Sequence, residues 1–210
     1  MGEKTRKKIL EASLQLFASQ GYHKTSITQI VKSAQTYRAA IEWHFGNKEG
    51  LLLAVLDYYL EDQLLKQLRE RWDQFLKNSN TIPREQTVNL FFRELTDLVR
   101  NNQGIILALF ILTFERMHTN PRIGHRIKQA WDQVNQTFKW MVEARREGKV
   151  TKYPLDAETL ARIVVAQGQG TFVQWYLEPD PENAQKVFAQ LLQAFRLIFA
   201  NSQGQSQNPD

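Results

Sequence analysis

The sequence of 210 residues contains no cysteine, which excludes disulfides, thiolate nucleophiles and cysteine-ligated metals. It also lacks a long apolar run, because the longest nearly continuous one, residues 105–114, has about half the length of a membrane-spanning helix. No apolar signal segment stands at the N-terminus. These absences favour a cytoplasmic protein that is not inserted in a membrane.

Strand patterns and catalytic constellations are absent as well. No stretch alternates apolar and polar residues convincingly, so the predicted fold class is all-α. No Ser/His/Asp set or pair of carboxylates stands out, and His23, His118 and His125 show no metal-ligand spacing with any carboxylate. We therefore expect neither an enzyme, nor a cofactor, nor a metal site.

The positive charge is concentrated at one end of the chain. The net charge is +5, and residues 1–50 contain eight Lys or Arg against four acidic residues. A basic excess of this kind indicates a polyanion partner such as nucleic acid. From charge alone, a solvated basic surface explains it equally well.

Residues 25–52 contain the strongest local pattern. Ser26 is a suitable N-cap, and Gln29 follows three residues later, as a capping box requires. The apolar residues that follow share one helical face: Ile27, Ile30, Val31 and Ala34. A short helix is therefore predicted here, ending before a tight turn at Gln35 and Thr36.

A second short helix follows that turn. Ile41 and Phe45 are four residues apart and are predicted to face inward, and Asn47 can cap the next helix. The opposite face would show Arg38, Ala39, Ala40, Trp43 and His44. Two short helices joined by a tight turn predict a helix-turn-helix, whose second helix lies in a DNA major groove.

The segment from about residue 5 to residue 56 closely resembles the DNA-binding domain of TetR-type transcriptional repressors. The matching blocks are residues 8–12, 16–18, 21–22, 25–27 and 43–52, with Ile30 and Ala34 between them. The resemblance covers about a quarter of the chain. Beyond it, only the length and the helical pattern are similar to the family.

The resemblance implies a homodimeric, ligand-responsive regulator, a repressor, that binds near-palindromic operator DNA and is released by a small-molecule effector. It implies DNA contacts from Ser26, Thr28, Thr36, Tyr37, Arg38, Ala39, Ala40, Trp43, His44 and Lys48. The residue chemistry agrees, because Arg binds guanine with two hydrogen bonds and Ala can touch a thymine methyl. Lys is a point charge that suits a phosphate.

Three positions depart from the family pattern. Gln35 stands where the family usually has Gly, so the turn either bends differently or carries strain. Tyr37 stands where the family often has Ser. Glu42 stands where the family usually has Tyr, and it can either pair with Arg38 four residues away or accept a hydrogen bond from a cytosine amine. The pair is the favoured interpretation.

Long helices are predicted for the rest of the chain. Helix 1 fills residues 1–20, with Thr5 as a plausible cap and Gly21 as its stop, and a long helix runs from Lys48 to about Lys77. Further helices are predicted at residues 84–100, 105–117, 122–146, 156–177 and 182–200. The helix at 105–117 is nearly apolar all round and is therefore expected to be central, and Asp156 is the expected cap of the helix at 156–177. The predicted domains are a DNA-binding domain at 1–50 and an effector-binding and dimerisation domain at 51–200, with a disordered tail at 201–210.

Aromatic residues in the second domain are more often core than pocket, by about two to one. The resemblance nevertheless implies an effector site, for which the candidates are Phe110, Phe114, Trp131, Phe138, Phe172 and Trp175. Few charges lie on the inward faces, which favours a largely apolar effector. The resemblance also implies a dimer through the last two helices, with Phe188, Leu191, Leu192 and Phe195 at the interface.

A different class of protein remains as the alternative. A helical small-molecule carrier or enzyme with a vestigial helix-turn-helix would explain Gln35 and Glu42. The basic excess of residues 1–50 and the intact run at 43–48 favour the regulator.

Overall fold

The computed structural model describes residues 2–78, 93–94, 97–116, 121–146 and 155–177, with the single positions 186, 190 and 193. Within these ranges every long regular element is helical, which confirms the predicted all-α class. The helices are α1 (Gly2–Lys24), α2 (Ile27–Ser33), α3 (Arg38–Phe45), α4 (Lys48–Leu56), α5 (Lys66–Asn78), α6 (Gln103–Arg116), α7 (Pro121–Arg146) and α8 (Ala157–Leu177). Most of the helix predicted at 84–100, nearly all of 182–200 and the tail lie outside the described residues.

Helix α1 differs from the prediction at its start and agrees with it near its end. It begins at Gly2, so the expectation that Thr5 caps it was wrong; no helix breaker separates the two residues. At Gly21 the backbone leaves the helix, with φ 82° and ψ 169°, which confirms the predicted stop. The buried Thr25 hydroxyl then donates to the Gly21 carbonyl at 2.7 Å and fixes the exit of α1.

Helix α2 begins with the predicted capping box and ends in a tight turn. The Gln29 amide donates to Ser26 Oγ at 3.2 Å and the Ser26 amide to Gln29 Oε1 at 2.7 Å, so the capping box is complete. Gln35 adopts a left-handed conformation with φ 51°. The turn therefore keeps a conformation that favours glycine, at a modest cost in strain.

Helix α4 starts against the end of α3. Asn47 Oδ1 accepts from the Gly50 amide at 2.9 Å, as the predicted cap requires. A Cβ atom built on Gly50 would lie 2.1 Å from the Phe45 carbonyl oxygen. Only glycine lets the two backbones approach this closely, and the junction fixes the start of α4 relative to α3.

The predicted long helix is present as one helical run from Lys48 to Asn78, but its middle is not α-helical. Residues Asp57–Leu65 form a π-helical segment between α4 and α5. Arg126 on α7 binds this segment, with Nη2 at 2.6 Å from Asp57 Oδ1 and 2.8 Å from Glu61 Oε1. The sequence analysis did not anticipate the widening, which has no residue signature of its own.

The chain divides into two compact units, Met1–Leu68 with Asp97–Asp132, and Arg69–Thr96 with Gln133–Asp210. In the first unit α6 packs on α1, where a Cβ on Gly104 would lie 3.6 Å from a Leu14 methyl carbon. The core of this unit is apolar and includes Ile9, Leu10, Phe17, Ile30, Ile41, Leu51, Leu52, Leu56, Leu60, Ile105 and Leu112. Residues 97–132 thus share a packing unit with the helix-turn-helix, while the functional boundary at residue 50 stays a prediction.

The second unit is described in part. Helix α8 begins after Asp156, whose carboxylate accepts from the Thr159 amide at 2.9 Å, as predicted for a cap. The buried face of α8 includes Leu160, Ala161, Val165 and Phe172. On α5, the ring of Trp72 stacks on that of Phe75 with 5.0 Å between their centroids. Over the described ranges, no helix has the length and apolar character needed to cross a membrane.

Candidate nucleic-acid interface

The outer face of α3 is defined by helical periodicity. At about 100° per residue, Arg38, Glu42, Ala39 and Trp43 fall in that angular order within an arc of about 140°. All four are exposed, and Trp43 is 78% exposed. We call these four residues the reading face. It stands beside Tyr37, the N-cap residue, which is 69% exposed and makes no side-chain capping bond.

Two residues expected on this face lie elsewhere. Ala40 is only 5% exposed, so the expectation that it lies on the outer face of α3 was wrong. It follows Arg38 by two positions, which turns its methyl about 200° away from the guanidinium and beside the buried Ile41. His44 is half-buried on the same inward side.

Arg38 and Glu42 form the ion pair favoured by the sequence analysis. Arg38 Nε donates to Glu42 Oε1 at 2.8 Å, and the two side chains are 72% and 54% exposed. The bond engages one nitrogen of the guanidinium fork and leaves Nη1 and Nη2 directed to other acceptors. Because the pair is solvated, its contribution to the free energy of unfolding is small.

Aromatic side chains connect the end of α3 to the start of α1. The rings of Trp43 and His44 meet edge to face at 4.4 Å between centroids. A Cβ on Gly2 would lie 3.7 Å from His44 Cε1, and the Arg6 guanidinium lies over the Phe45 ring at 5.7 Å. The basic N-terminus of α1 therefore lies next to the end of α3, which sequence spacing alone did not show.

Lys48 is held by an aromatic ring in the first turn of α4. Its Nζ lies 4.2 Å from the centroid of the buried Tyr22 ring, a cation–π contact that fixes the ammonium group. The sequence analysis named Lys48 as a phosphate ligand but missed Tyr22 as its support. Only the closeness of α1 to α4 shows this pairing.

The remaining expected DNA contacts surround the turn. Ser26 and Thr28 are exposed at the start of α2, and Thr36 is half-buried, with its amide donating to the Val31 carbonyl at 3.1 Å. The structure thus places Ser26 and Thr28 at the solvent-exposed start of α2, and Thr36 in the turn before α3. A DNA contact by any one of them stays a prediction.

The expected effector residues fall into both units. In the first, Phe110 meets Trp131 edge to face at 5.4 Å, and Trp131 Nε1 donates to Thr113 Oγ1 at 3.0 Å. Phe114 is 80% exposed, so the expectation that its helix is covered all round was wrong. In the second unit, Phe172 contacts Trp175 at 5.5 Å between ring centroids, and Phe138 is half-buried.

The expected dimer residues Phe188, Leu191, Leu192 and Phe195 lie outside the described residues. The preceding helix ends in exposed apolar side chains, with Val173, Tyr176 and Leu177 at 41%, 50% and 73% exposure. In the parts of the chain described here, no three His, Asp or Glu side chains are grouped as a metal would need.

Comparison with known proteins agrees with this geometry. Residues 9–55 match the family model described as bacterial regulatory proteins, tetR family. The HTH-type transcriptional regulator AcrR of Shigella flexneri is 24% identical over 188 residues, 88% of this chain and 84% of that protein. The probable acrEF/envCD operon repressor of Escherichia coli K12 is 32% identical over 144 residues, 62% of this chain and 63% of that one.

A solved structure extends the likeness over nearly the whole fold. The transcriptional regulator FadR of Bacillus subtilis, in complex with stearoyl-CoA, superposes with a TM-score of 0.71 at 16% identity. The alignment covers 92% of this chain and 97% of that one. Residues 9–55, with the capped helix α2 and the exposed face of α3, thus form a helix-turn-helix domain that matches the bacterial tetR family of regulatory proteins.

Proposed function

We propose that the chain is a ligand-responsive repressor that binds near-palindromic operator DNA as a homodimer. The observation that carries this proposal is the reading face of α3. An Arg, an Ala methyl and a Trp are presented outward on α3, and the preceding helix α2 begins with a complete capping box. Such a helix fits a major groove, where Arg38 would bind guanine O6 and N7. The site of action would be the cytoplasm, where a bacterium keeps its DNA.

Lys48 would contact the phosphate backbone at the edge of the same groove. Its ammonium group, fixed over Tyr22, is a positive charge that selects no base. Ser26 and Thr28 would add hydrogen bonds to a phosphate at the start of α2, and Thr36, Tyr37 and His44 would lie close to the same strand. We therefore propose that Arg38 selects the DNA sequence and that Lys48 raises affinity for all sequences.

Binding measurements over a range of salt concentrations test these two roles. Lys48→Ala should weaken binding to all sequences alike and reduce the slope of log affinity against log salt by about one. Arg38→Ala should instead reduce the preference for one base pair, a loss of about 1–3 kcal/mol of discrimination. If neither variant changed DNA affinity or base preference, the assignment of α3 as the recognition helix would be contradicted.

Homodimerisation is supported by the exposed end of α8. Val173, Tyr176 and Leu177 would be covered by a second copy, together with the expected interface residues Phe188, Leu191, Leu192 and Phe195. A twofold dimer would place two α3 helices on successive major grooves. Light scattering should give twice the chain mass, and Leu177→Arg should weaken the dimer; a monomer in the unmutated protein would contradict the model.

The effector would bind among aromatic side chains beyond the DNA-binding domain. Two separate candidate surfaces have few charges: Phe110 with Trp131 in the first unit, and Phe172 with Trp175 in the second. The structural relative bound to stearoyl-CoA supports a large ligand with a long apolar chain. The effector must bind the DNA-free state more tightly, by about 1–3 kcal/mol in typical coupling.

Stearoyl-CoA is a suitable first probe of the effector site. Its addition should change the Trp fluorescence, and operator DNA should weaken that binding by the same factor by which the probe weakens DNA binding. Equal probe affinities with and without DNA would contradict a switch driven by this ligand. The alternative of a carrier with a vestigial helix-turn-helix gains no support, because the turn is kept at Gln35 despite a modest strain and Glu42 pairs with Arg38.

A further inference from the structure

The reading face contains one residue that opposes DNA binding. Glu42 lies between Arg38 and Ala39 in the angular order of the face, and its side chain is 54% exposed. A carboxylate at this position would be repelled by the phosphates on both sides of a groove. A carboxylate at the centre of the face is thus expected to lower affinity for every sequence, and any benefit from it would depend on sequence.

The geometry of the ion pair identifies that benefit. Glu42 Oε1 accepts from Arg38 Nε at 2.8 Å, which engages the inner nitrogen of the fork. This contact uses the Nε hydrogen only, so the edge of the guanidinium formed by Nη1 and Nη2 can make two hydrogen bonds to guanine O6 and N7. Without this contact, an Arg side chain that is 72% exposed would sample many rotamers and lose that freedom on binding.

We propose that Glu42 is a specificity-determining positioning residue, which orients Arg38 for one guanine at the expense of overall DNA affinity. This inference rests on the proposed function, since it assigns a role within the same interface. It predicts effects of opposite sign from one substitution. Affinity for random DNA should rise, while discrimination at the base pair bound by Arg38 should fall.

The experiment uses the full chain and a DNA sequence selected by the unmutated protein. The base pair whose preference disappears in Arg38→Ala marks the contact of Arg38. At that base pair Glu42→Ala should reduce discrimination by roughly two- to fivefold, the range of a solvated ion pair. The same variant should bind random duplex DNA about threefold more tightly, as expected from removal of one repulsive charge in water.

Two control variants separate positioning from charge and from stability. Glu158→Ala breaks a solvated pair of the same kind on α8, in which Glu158 Oε1 lies 2.9 Å from Arg162 Nη2 and the side chains of Arg162 and Glu158 are 71% and 53% exposed. This variant should change neither the affinity for random DNA nor the discrimination between base pairs. Glu3→Gln removes an exposed acid from the first turn of α1 and should raise affinity without lowering discrimination. Glu42→Gln keeps an acceptor oxygen and should restore part of the discrimination lost in Glu42→Ala.

Several outcomes would overturn the inference. Full discrimination in Glu42→Ala would show that Arg38 needs no support. If Glu42→Ala lost a preference at a G·C pair other than the one bound by Arg38, Glu42 itself would accept a hydrogen bond from the cytosine amine. A double variant that discriminated less than Arg38→Ala alone would lead to the same conclusion. Failure of the unmutated protein to select any sequence would instead overturn the proposed function, and this inference with it.

Discussion

Helices α2 to α4 and the first half of α7 belong to the same compact unit, but different contacts position them. The short helices are fixed by bonds between near neighbours in sequence, such as Ser26 with Gln29 and Asn47 with Gly50. Helix α7 is fixed by Arg126, whose partners Asp57 and Glu61 are 69 and 65 residues away. The capped ends of the short helices are thus set locally, whereas the contact between α7 and the π-helical segment depends on a side chain that is distant in sequence.

The largest expected effect is at the junction of α3 and α4. Gly50→Ala should lower the free energy of unfolding by about 3 kcal/mol, because the new methyl would overlap the Phe45 carbonyl, a backbone atom that cannot turn away. Urea denaturation measures this loss. The matched control is Gly168→Ala inside α8, where nothing lies within 4 Å of the new Cβ; it should gain roughly 0.5–1 kcal/mol. A tolerated Gly50→Ala would contradict the close approach of the two backbones.

The next effect tests the distant contact. Arg126→Ala should cost about 1–2 kcal/mol, because Arg126 is 12% exposed and its loss leaves Asp57 and Glu61 without this cation. The control is Lys128→Ala, two residues along the same helix, which breaks an ion pair between Lys128 (74% exposed) and Asp132 (59% exposed). Because this pair is solvated, its loss should cost less than about 0.5 kcal/mol. Equal losses in thermal denaturation of the two variants would show that Arg126 does not hold the π-helical segment.

A smaller effect is expected at the cap of α2. Ser26→Ala should cost about 1 kcal/mol, since the Gln29 amide loses its acceptor at the start of the helix. The control is Ser19→Ala, which removes a hydroxyl that donates to the Leu16 carbonyl oxygen at 3.3 Å within helix α1. Its effect on stability should be nearly neutral. If Ser26→Ala had an equally small effect, the capping box would contribute nothing to the stability of α2.

The smallest effect appears only at alkaline pH. Burial, with added contributions from Glu11 and Tyr58, raises the pKa of Tyr59 from 10.0 to about 12. Between these values the unfolded chain has lost the phenol proton and the folded chain keeps it, so stability falls as pH rises. Tyr59→Phe should flatten that part of the curve of stability against pH. An unchanged slope in Tyr59→Phe would contradict the partial burial of the phenol.

The same comparison explains what could be predicted from the sequence. Ser26, Asn47 and Asp156 were predicted as caps and are caps, because capping needs only residue type and a spacing of three. Ala40 was misplaced because α3 has only eight residues, too few for a mixed run of small side chains to define a face. The pair of Lys48 with Tyr22, and the contacts of Arg126, depend on tertiary packing that no spacing encodes.

The most direct test of the account is selection of the unmutated full chain on random duplex DNA, followed by sequencing of the bound fraction. A homodimer that presents two α3 helices predicts an enriched near-palindrome, with half-sites one helical turn or about 10 base pairs apart. Each half-site should contain a guanine whose preference is lost in Arg38→Ala. Enrichment of a single half-site, or of no sequence at all, would contradict the account.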